Sequence, residues 1–404
     1  MHWFEESKFG MFIHWGVYAG AFGNEWVKSD LKMTDEQYQK YVDQFEADQF
    51  DPEKWAEAAE RAGMRYVVFT AKHHDGFCMF DTAFTDYNSM RYYGRDYLRE
   101  VIDAFRARDF HIGIYYSLPD WHHPNYVIDA RHPLRDFPAE RDYAPYTEYL
   151  HNQVTELLSN YGKIDIIWFD GSYPDTKHIW NAPALAAKIK SLQPEILISR
   201  LPGFDDFSTP EQSLPENSNV KCRWEGCQVI NGQWGYTTQN VHWRSSEELV
   251  KMLVDHVSKG GNMLLNVGPT GRGTFDPRSS QILKEVGEWW DQHSRAILGC
   301  ETAPEKFAVP EDCRVTWNPV THRLYIHLFS WQNRHLRLPG LAGCIRYARF
   351  LHDHSEIPFQ KKEIKNCHIA GSTESVAVLT LPVEKPQVAV PVVELILDSA
   401  ECFS

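Results

Sequence analysis

Ile164-Asp165-Ile166-Ile167-Trp168-Phe169-Asp170-Gly171 is a short apolar run that stops abruptly at a carboxylate and a glycine. A strand buried on both faces of a parallel sheet reads as a near-continuous hydrophobic run. In a (β/α)8 barrel the side chains at the carboxyl ends of such strands face the active site, which makes Asp170 a candidate nucleophile. Gly171 then lets the chain turn without a Cβ penalty. An Asp that only caps the following turn leaves the same trace, so the neighbouring strand ends decide between the two readings.

Six further apolar runs, at 11–15, 66–72, 111–117, 196–200, 222–227 and 263–267, are expected strands. Between and around them lie amphipathic, charged stretches expected as helices at 35–45, 52–62, 97–108, 143–161, 182–192, 246–259 and 278–293. Such alternation belongs to a parallel sheet built by β/α repetition. The fold class read here is α/β: a (β/α)8-like TIM barrel over residues 1–302, with a weak eighth strand expected near 296–300. Helix signals support the segmentation. Asp51-Pro52 is a cap before a first-turn proline, Gly63 stops the helix before it, and Ser245 to Glu248 reads as a capping box.

The 404 residues exceed the roughly 250 of a barrel. After Cys300 the texture changes to short strands at 314–317, 323–328, 344–351, 376–381 and 392–397, punctuated by Pro and Gly. Residues 303–404 are therefore expected to form a C-terminal antiparallel β-sandwich that buttresses the barrel. The stretch 202–219, rich in Pro, Asp and Ser, reads as a long loop, and long loops inside barrels are usually functional.

Composition narrows the function. Lys+Arg 41 against Asp+Glu 55 gives a net charge of −14, which disfavours nucleic acid and anionic membranes as partners. A neutral or weakly charged substrate fits better. Aromatic residues make up 14%, including 14 Trp; their flat faces suit the apolar C–H faces of sugar rings, although core packing explains them equally. The 8 Cys are scattered without CxxC or zinc-like spacing and read as free, mostly buried thiols. No apolar stretch approaches the 18 to 20 residues of a membrane span. The first residues lack the basic flank and apolar core of a signal peptide, so a cytoplasmic chain is expected unless a leader has been removed.

Polar residues gather at equivalent strand ends: His14 and Trp15 at the first, with Asn24-Glu25-Trp26 just beyond; Lys72-His73-His74-Asp75 at the second; Tyr115-Tyr116-Ser117 at the third; Asp170 at the fourth; Ser199-Arg200 at the fifth. A ring closed by these strands collects His14, His73, His74, Tyr116, Asp170 and Arg200 around one pocket. Two chemistries fit several histidines in such a place: a metal site, or imidazoles that bind hydroxyls. Adjacent residues such as His73 and His74 point to opposite sides of a regular strand, which favours the hydroxyl pocket, and no metal or organic cofactor is expected.

Two glutamates offer Asp170 a partner: Glu211 in Thr209-Pro210-Glu211 on the long loop, and Glu225 in Trp224-Glu225-Gly226-Cys227. A retaining glycosidase wants two carboxyls about 5 to 5.5 Å apart, one ionised as nucleophile and one protonated as acid, and their surroundings must split their pKa values. Arg200 near Asp170 favours its ionised form. Glu225, inside a strand-like segment, reads equally as a buried structural partner.

Taken together, the stretch Lys8 to Gly16, Ala71-Lys72-His73-His74-Asp75-Gly76-Phe77, Trp168-Phe169-Asp170-Gly171, Trp224-Glu225-Gly226-Cys227 with Trp234-Gly235-Tyr236, and Gly260-Gly261-Asn262 through Asn266-Val267-Gly268-Pro269 resemble the α-L-fucosidases of glycoside hydrolase family 29. The resemblance implies a barrel with a C-terminal β-sandwich and net-retaining hydrolysis through a covalent fucosyl-enzyme. It puts the nucleophile on Asp170 and sugar-binding roles on His14, Glu25, Trp26, His73, His74, Tyr116, Trp168 and Arg200. It points to Glu211 as acid/base, with Glu225 as the rival. The absence of a Gly-Asn-Glu context in the long loop looks more like the broad-acting branch of the family. The implied partner is a fucosylated oligosaccharide or glycoconjugate, with homo-oligomerisation left open; the rival readings are a carbohydrate-binding protein on a degenerate glycosidase scaffold and a metal-dependent hydrolase.

Overall fold

The computed structural model describes residues 2–172, 179–213, 223–239, 241–305, 307, 310–331, 334–365, 373–398 and 402. Seven strands, β1 (Phe9–Ile13), β2 (Tyr66–Lys72), β3 (His111–Ser117), β4 (Ile166–Asp170), β5 (Leu197–Ser199), β6 (Glu225–Val229) and β7 (Asn262–Val267), form one curled sheet in the order β5-β4-β3-β2-β1-β7-β6. Every pairing in it is parallel. The expected strand runs all fall on this sheet, except that Cys222 lies outside the described residues.

A period of two divides the side chains. Phe9, Met11 and Ile13 of β1, Ile112, Ile114 and Tyr116 of β3, and Ile167 and Phe169 of β4 point outward into the core shared with the helices. Phe12, Tyr115, Ile166 and Trp168, with Tyr66, Leu197 and Leu264, fill the concave interior. Aromatic pairs such as Phe12 with Trp168, centroids 5.1 Å apart, each add about 0.5–1.5 kcal/mol beyond their buried area. A large part of the aromatic excess is thus core.

The seven expected helices are present, among them Pro52–Arg61 capped by Asp51, Ser246–Ser258 with its reciprocal Ser245/Glu248 capping box, and Pro277–His293. The short helices His2–Ser7, Val27–Asp30 and Ser89–Tyr93 are too brief to show a period in the sequence. Among the described residues no helix is long and apolar enough to cross a membrane.

The eighth strand is not where the sequence suggests. Residues Ser294–Ala296 form a 3-10 turn, and Glu301–Thr302 pairs in an antiparallel sheet instead. The open edges β5 and β6 are spanned by irregular chain. Asp206 N–H donates to the Ile198 carbonyl at 2.8 Å, Glu225 N–H to Ser208 at 2.9 Å and Gln212 N–H to Cys227 at 3.0 Å. Phe207 of the same segment joins the interior cluster. The part of the long loop at 214–219 lies outside the described residues.

Beyond the parallel sheet, β8 (Glu301–Thr302), β9 (Cys313–Asn318), β10 (Arg323–Leu328), β11 (His335–Pro339), β12 (Ile345–Phe350), β13 (Phe359–Lys365), β14 (Thr373–Thr380) and β15 (Val392–Leu397) make two antiparallel sheets, β12-β15-β10-β9-β8 and β11-β14-β13. Leu324 and Ile326 of the first and Leu336 and Leu379 of the second share one apolar core. This unit is tied to the helices: Trp289 Nε1 donates to the Val390 carbonyl at 2.9 Å, and Arg314 pairs with Asp255 at 2.6 Å. The reading of all cysteines as free thiols needs correction. Cys344 and Cys402 form a disulfide across 58 residues, a pairing that sequence spacing cannot show, whereas Cys78, Cys227, Cys300 and Cys313 are free and buried.

Candidate active site

The carboxyl ends of the parallel strands open into a cavity of about 450 Å³ lined by Phe12, His14, Glu25, Trp26, His73, His74, Tyr115, Arg131, Trp168, Asp170, Arg200, Glu211 and Trp234. Asp170 is the last residue of β4. Gly171 follows at φ +78°, where an added Cβ would meet Pro119 Cδ at 2.3 Å, so the turn that exposes the carboxylate requires glycine.

Two groups hold Asp170. Tyr115 Oη donates to Oδ2 at 3.0 Å and Arg200 Nη1 to Oδ1 at 3.0 Å, while His74 Nε2 stands 3.7 Å from Oδ2. Burial pushes the carboxyl up, but the Arg200 guanidinium, the Gly171 amide and the Tyr115 hydroxyl outweigh it and hold Asp170 below its ordinary value. The same guanidinium reaches Glu211 Oε2 through Nη2 at 3.1 Å and lies 4.8 Å from the centroid of the Trp168 ring. One cation therefore bridges two carboxylates in the cavity wall. Arg200 does this from a left-handed backbone, φ 57°, just past β5.

Hydrogen bonds set the imidazole tautomers. Asn266 Nδ2 donates to the Trp234 carbonyl at 2.7 Å, which leaves its Oδ1 to accept from His14 Nδ1 at 2.7 Å. Ser117 Oγ donates to the Pro119 carbonyl at 2.6 Å and accepts from His74 Nδ1 at 2.6 Å. Both rings thus keep Nε2 as a bare acceptor. Burial holds both at about 4, so they are neutral at neutral pH. His74 Nε2 and His73 Nδ1 are buried with no hydrogen-bond partner among the described residues.

Glu25 is buried, accepts from the Gly235 amide at 2.7 Å, and is pushed by burial up to about 7. Trp26 stands at the same wall, 5.0 Å from His74 between ring centroids. Among the described residues no group of three or more His, Cys, Asp or Glu is arranged to hold a metal ion.

Nine of the eleven residues singled out in the sequence line this cavity: His14, Glu25, Trp26, His73, His74, Trp168, Asp170, Arg200 and Glu211. Two do not. Tyr116 points outward, its hydroxyl on Gln153 Oε1 at 2.8 Å; Tyr115, one residue earlier and on the inward face, takes that place. Glu225 opens β6 instead of closing it, and its carboxyl is buried beneath the cavity under Tyr66 and Trp168. His73 and His74 both face the cavity because β2 ends at Lys72, so strand alternation no longer governs them. Sequence reasoning missed Tyr115, Arg131, Trp234 and Phe12. The parity of β3 was the available signal for Tyr115; Arg131 and Trp234 arrive on loops whose approach is tertiary.

An aspartate held ionised at a strand end, with a second carboxylate and neutral imidazoles in the same cavity, supplies the groups a glycoside hydrolase uses. The chain belongs to the alpha-L-fucosidase family: a family profile of that description matches residues 1–295. It is 30% identical over 369 residues to plasma alpha-L-fucosidase of Homo sapiens, covering 81% of this chain and 76% of that one. It is 32% identical over 355 residues to tissue alpha-L-fucosidase of Mus musculus, covering 78% and 74%. Among solved structures, alpha-L-fucosidase isoenzyme 1 from Paenibacillus thiaminolyticus superposes with a TM-score of 0.91 at 39% identity over 98% of each chain. An alpha-L-fucosidase from Bacteroides thetaiotaomicron, trapped as a covalent intermediate with 2-fluoro-fucosyl fluoride, superposes at 0.84 and 26% identity, over 98% of this chain and 95% of that one.

Proposed function

We propose that this chain is an exo-acting, retaining α-L-fucosidase that releases terminal α-L-fucosyl residues from oligosaccharides or glycoconjugates. Asp170 attacks the anomeric carbon as the glycosidic bond breaks, and Glu211 gives its proton to the departing oxygen. Water, deprotonated by Glu211, then opens the fucosyl ester and restores Asp170. The observation that carries this reading is the Asp170 carboxylate, held ionised by Arg200 and Tyr115 at the end of β4, with Glu211 lining the same cavity.

Geometry favours Glu211 over the other two glutamates. The acid must meet the leaving group on the open side, and Glu211 is 42% exposed, whereas Glu25 and Glu225 are 1% and 0% exposed. His14, His74 and Glu25 are assigned to sugar hydroxyls, His73 and Trp26 to the pocket wall, and Tyr115 replaces Tyr116 in that set. The segment 206–212 is read as closing the barrel in place of an eighth strand, residues 303–404 as a separate buttressing domain, and the loop without Gly-Asn-Glu as a mark of the broad-acting branch.

The test is a pair of variants on aryl α-L-fucosides. Asp170→Gly should lose turnover by several orders of magnitude and regain part of it with azide as a small replacement nucleophile. Glu211→Ala should lose about 10²–10⁴-fold with a poor leaving group and far less with an activated one. If azide restores nothing and the Glu211→Ala loss ignores the leaving group, the assignment is wrong. Fucose binding without turnover by the unaltered chain would instead favour a binding protein on a degenerate scaffold.

A further inference from the structure

Glu225 has no step in this chemistry, yet it occupies a costly position. It is wholly buried, and each oxygen has one neutral donor: Tyr66 Oη at 2.6 Å on Oε2 and Trp168 Nε1 at 3.2 Å on Oε1. As the first residue of β6 it pairs with Asn262 at the start of β7, so it lies at the end of the sheet away from Asp170. Burial pushes its carboxyl up to about 7. Where only stability is at stake, a buried carboxyl and its donors can be replaced together by apolar residues at little cost, whereas removing Glu225 alone strands two buried donors.

What the carboxyl holds is the Trp168 indole, and that ring underlies the site. Tyr115 stacks beside it at 5.7 Å and donates to Asp170. Arg200 rests against it and reaches both Asp170 and Glu211. A tilt of the indole therefore moves the guanidinium and, with it, both carboxylates. A misplacement of about 1 Å costs roughly 10²-fold in rate.

We propose that Glu225 is a positioning residue for catalysis: it anchors the Trp168 N–H, and through the indole and Arg200 it sets the placement of Asp170 and Glu211. This rests on the hydrolase reading above and deepens it.

Glu225→Gln keeps the size but offers one acceptor oxygen to two donors. Its kcat/KM on an aryl fucoside is expected to fall about tenfold to a hundredfold, while the alkaline limb of the pH–rate profile stays in place. Trp168→Phe keeps a ring beneath Arg200 and removes the N–H, and the double variant is expected to lose no more than the worse single one, since the two act in series. A vanished alkaline limb would make Glu225 a proton donor and overturn the proposal. Fully additive losses or unchanged turnover would overturn it as well. Should Glu225→Gln fail to fold by circular dichroism, Trp168→Phe carries the test alone, and unchanged kcat/KM refutes the anchor. An unaltered chain that leaves every aryl α-L-fucoside intact contradicts the hydrolase reading itself, a separate failure.

Discussion

Two adjacent tyrosines show how much a single register step decides. Tyr115 and Tyr116 carry the same hydroxyl, but successive residues of a strand face opposite sides. Tyr115 donates to Asp170 inside the cavity and Tyr116 to Gln153 in the outer core. Tyr115→Phe should therefore lower kcat/KM on an aryl fucoside at least tenfold with little change in melting temperature. Tyr116→Phe should leave kcat/KM within about twofold and cost about 1–3 kcal/mol, because it strands a buried acceptor on Gln153. Steady-state kinetics and denaturant unfolding on both variants check this; equal kinetic losses would contradict it. Asp170, His14 and Arg200 were legible because each sits where an apolar run meets a polar residue. Tyr115 was legible in principle, since Ile112, Ile114 and Tyr116 mark the outward face. Arg131 was not, because it lies on the long excursion after β3, anchored by Asp129 and Ser29, and nothing in its neighbours shows that it returns to the cavity.

At the scale of elements, buried strands and capped helices are written in local sequence. The Ser245/Glu248 reciprocal cap was readable, and it is formed. Ser245→Ala should cost about 1 kcal/mol of stability and leave kcat/KM unaltered, measured by thermal unfolding beside a turnover assay; a loss of activity without a loss of stability would contradict a purely structural cap. The bridging segment 206–212 was not readable as part of the sheet. Asp206-Phe207-Ser208-Thr209-Pro210-Glu211-Gln212 has no apolar run, and a proline rules out a regular central strand. Its attachment depends on hydrogen bonds to β5 and to the β6 edge, which are distant in sequence and meet only in the folded chain. That irregularity is also what places Glu211: an element bonded to β6 yet free of strand regularity can carry a carboxylate out to Arg200.

Across the whole molecule, buried titratable groups make stability depend on pH. His14, His74, His132, His256 and His293 are each lowered to about 4, chiefly by burial. Between that value and the ordinary 6.5 the unfolded chain binds more protons at these five positions, so stability must fall as the pH drops through this window. Glu25 and Glu225, raised to about 7 by burial, act in the opposite sense between about 4.5 and 7, because there the folded state holds the extra protons. Five histidines against two glutamates leave a net loss on acidification. The melting temperature at constant ionic strength should fall from pH 6.5 to pH 4; a flat or rising trend would contradict the buried neutral imidazoles. Two of these histidines line the cavity, while His293 belongs to the seam where Pro277–His293 meets the antiparallel sheets, so acid should loosen both regions.

The central claim is that Asp170 is the atom-bonding carboxylate of the cavity. Incubation with 2-fluoro-fucosyl fluoride, followed by proteolysis and mass mapping, tests it most directly. A single fluorofucosyl adduct on the peptide that carries Asp170, lost in Asp170→Gly and long-lived in Glu211→Ala, is the predicted result. An adduct on Glu211, Glu25 or Glu225, or rapid turnover of the reagent with Asp170 replaced, would contradict it.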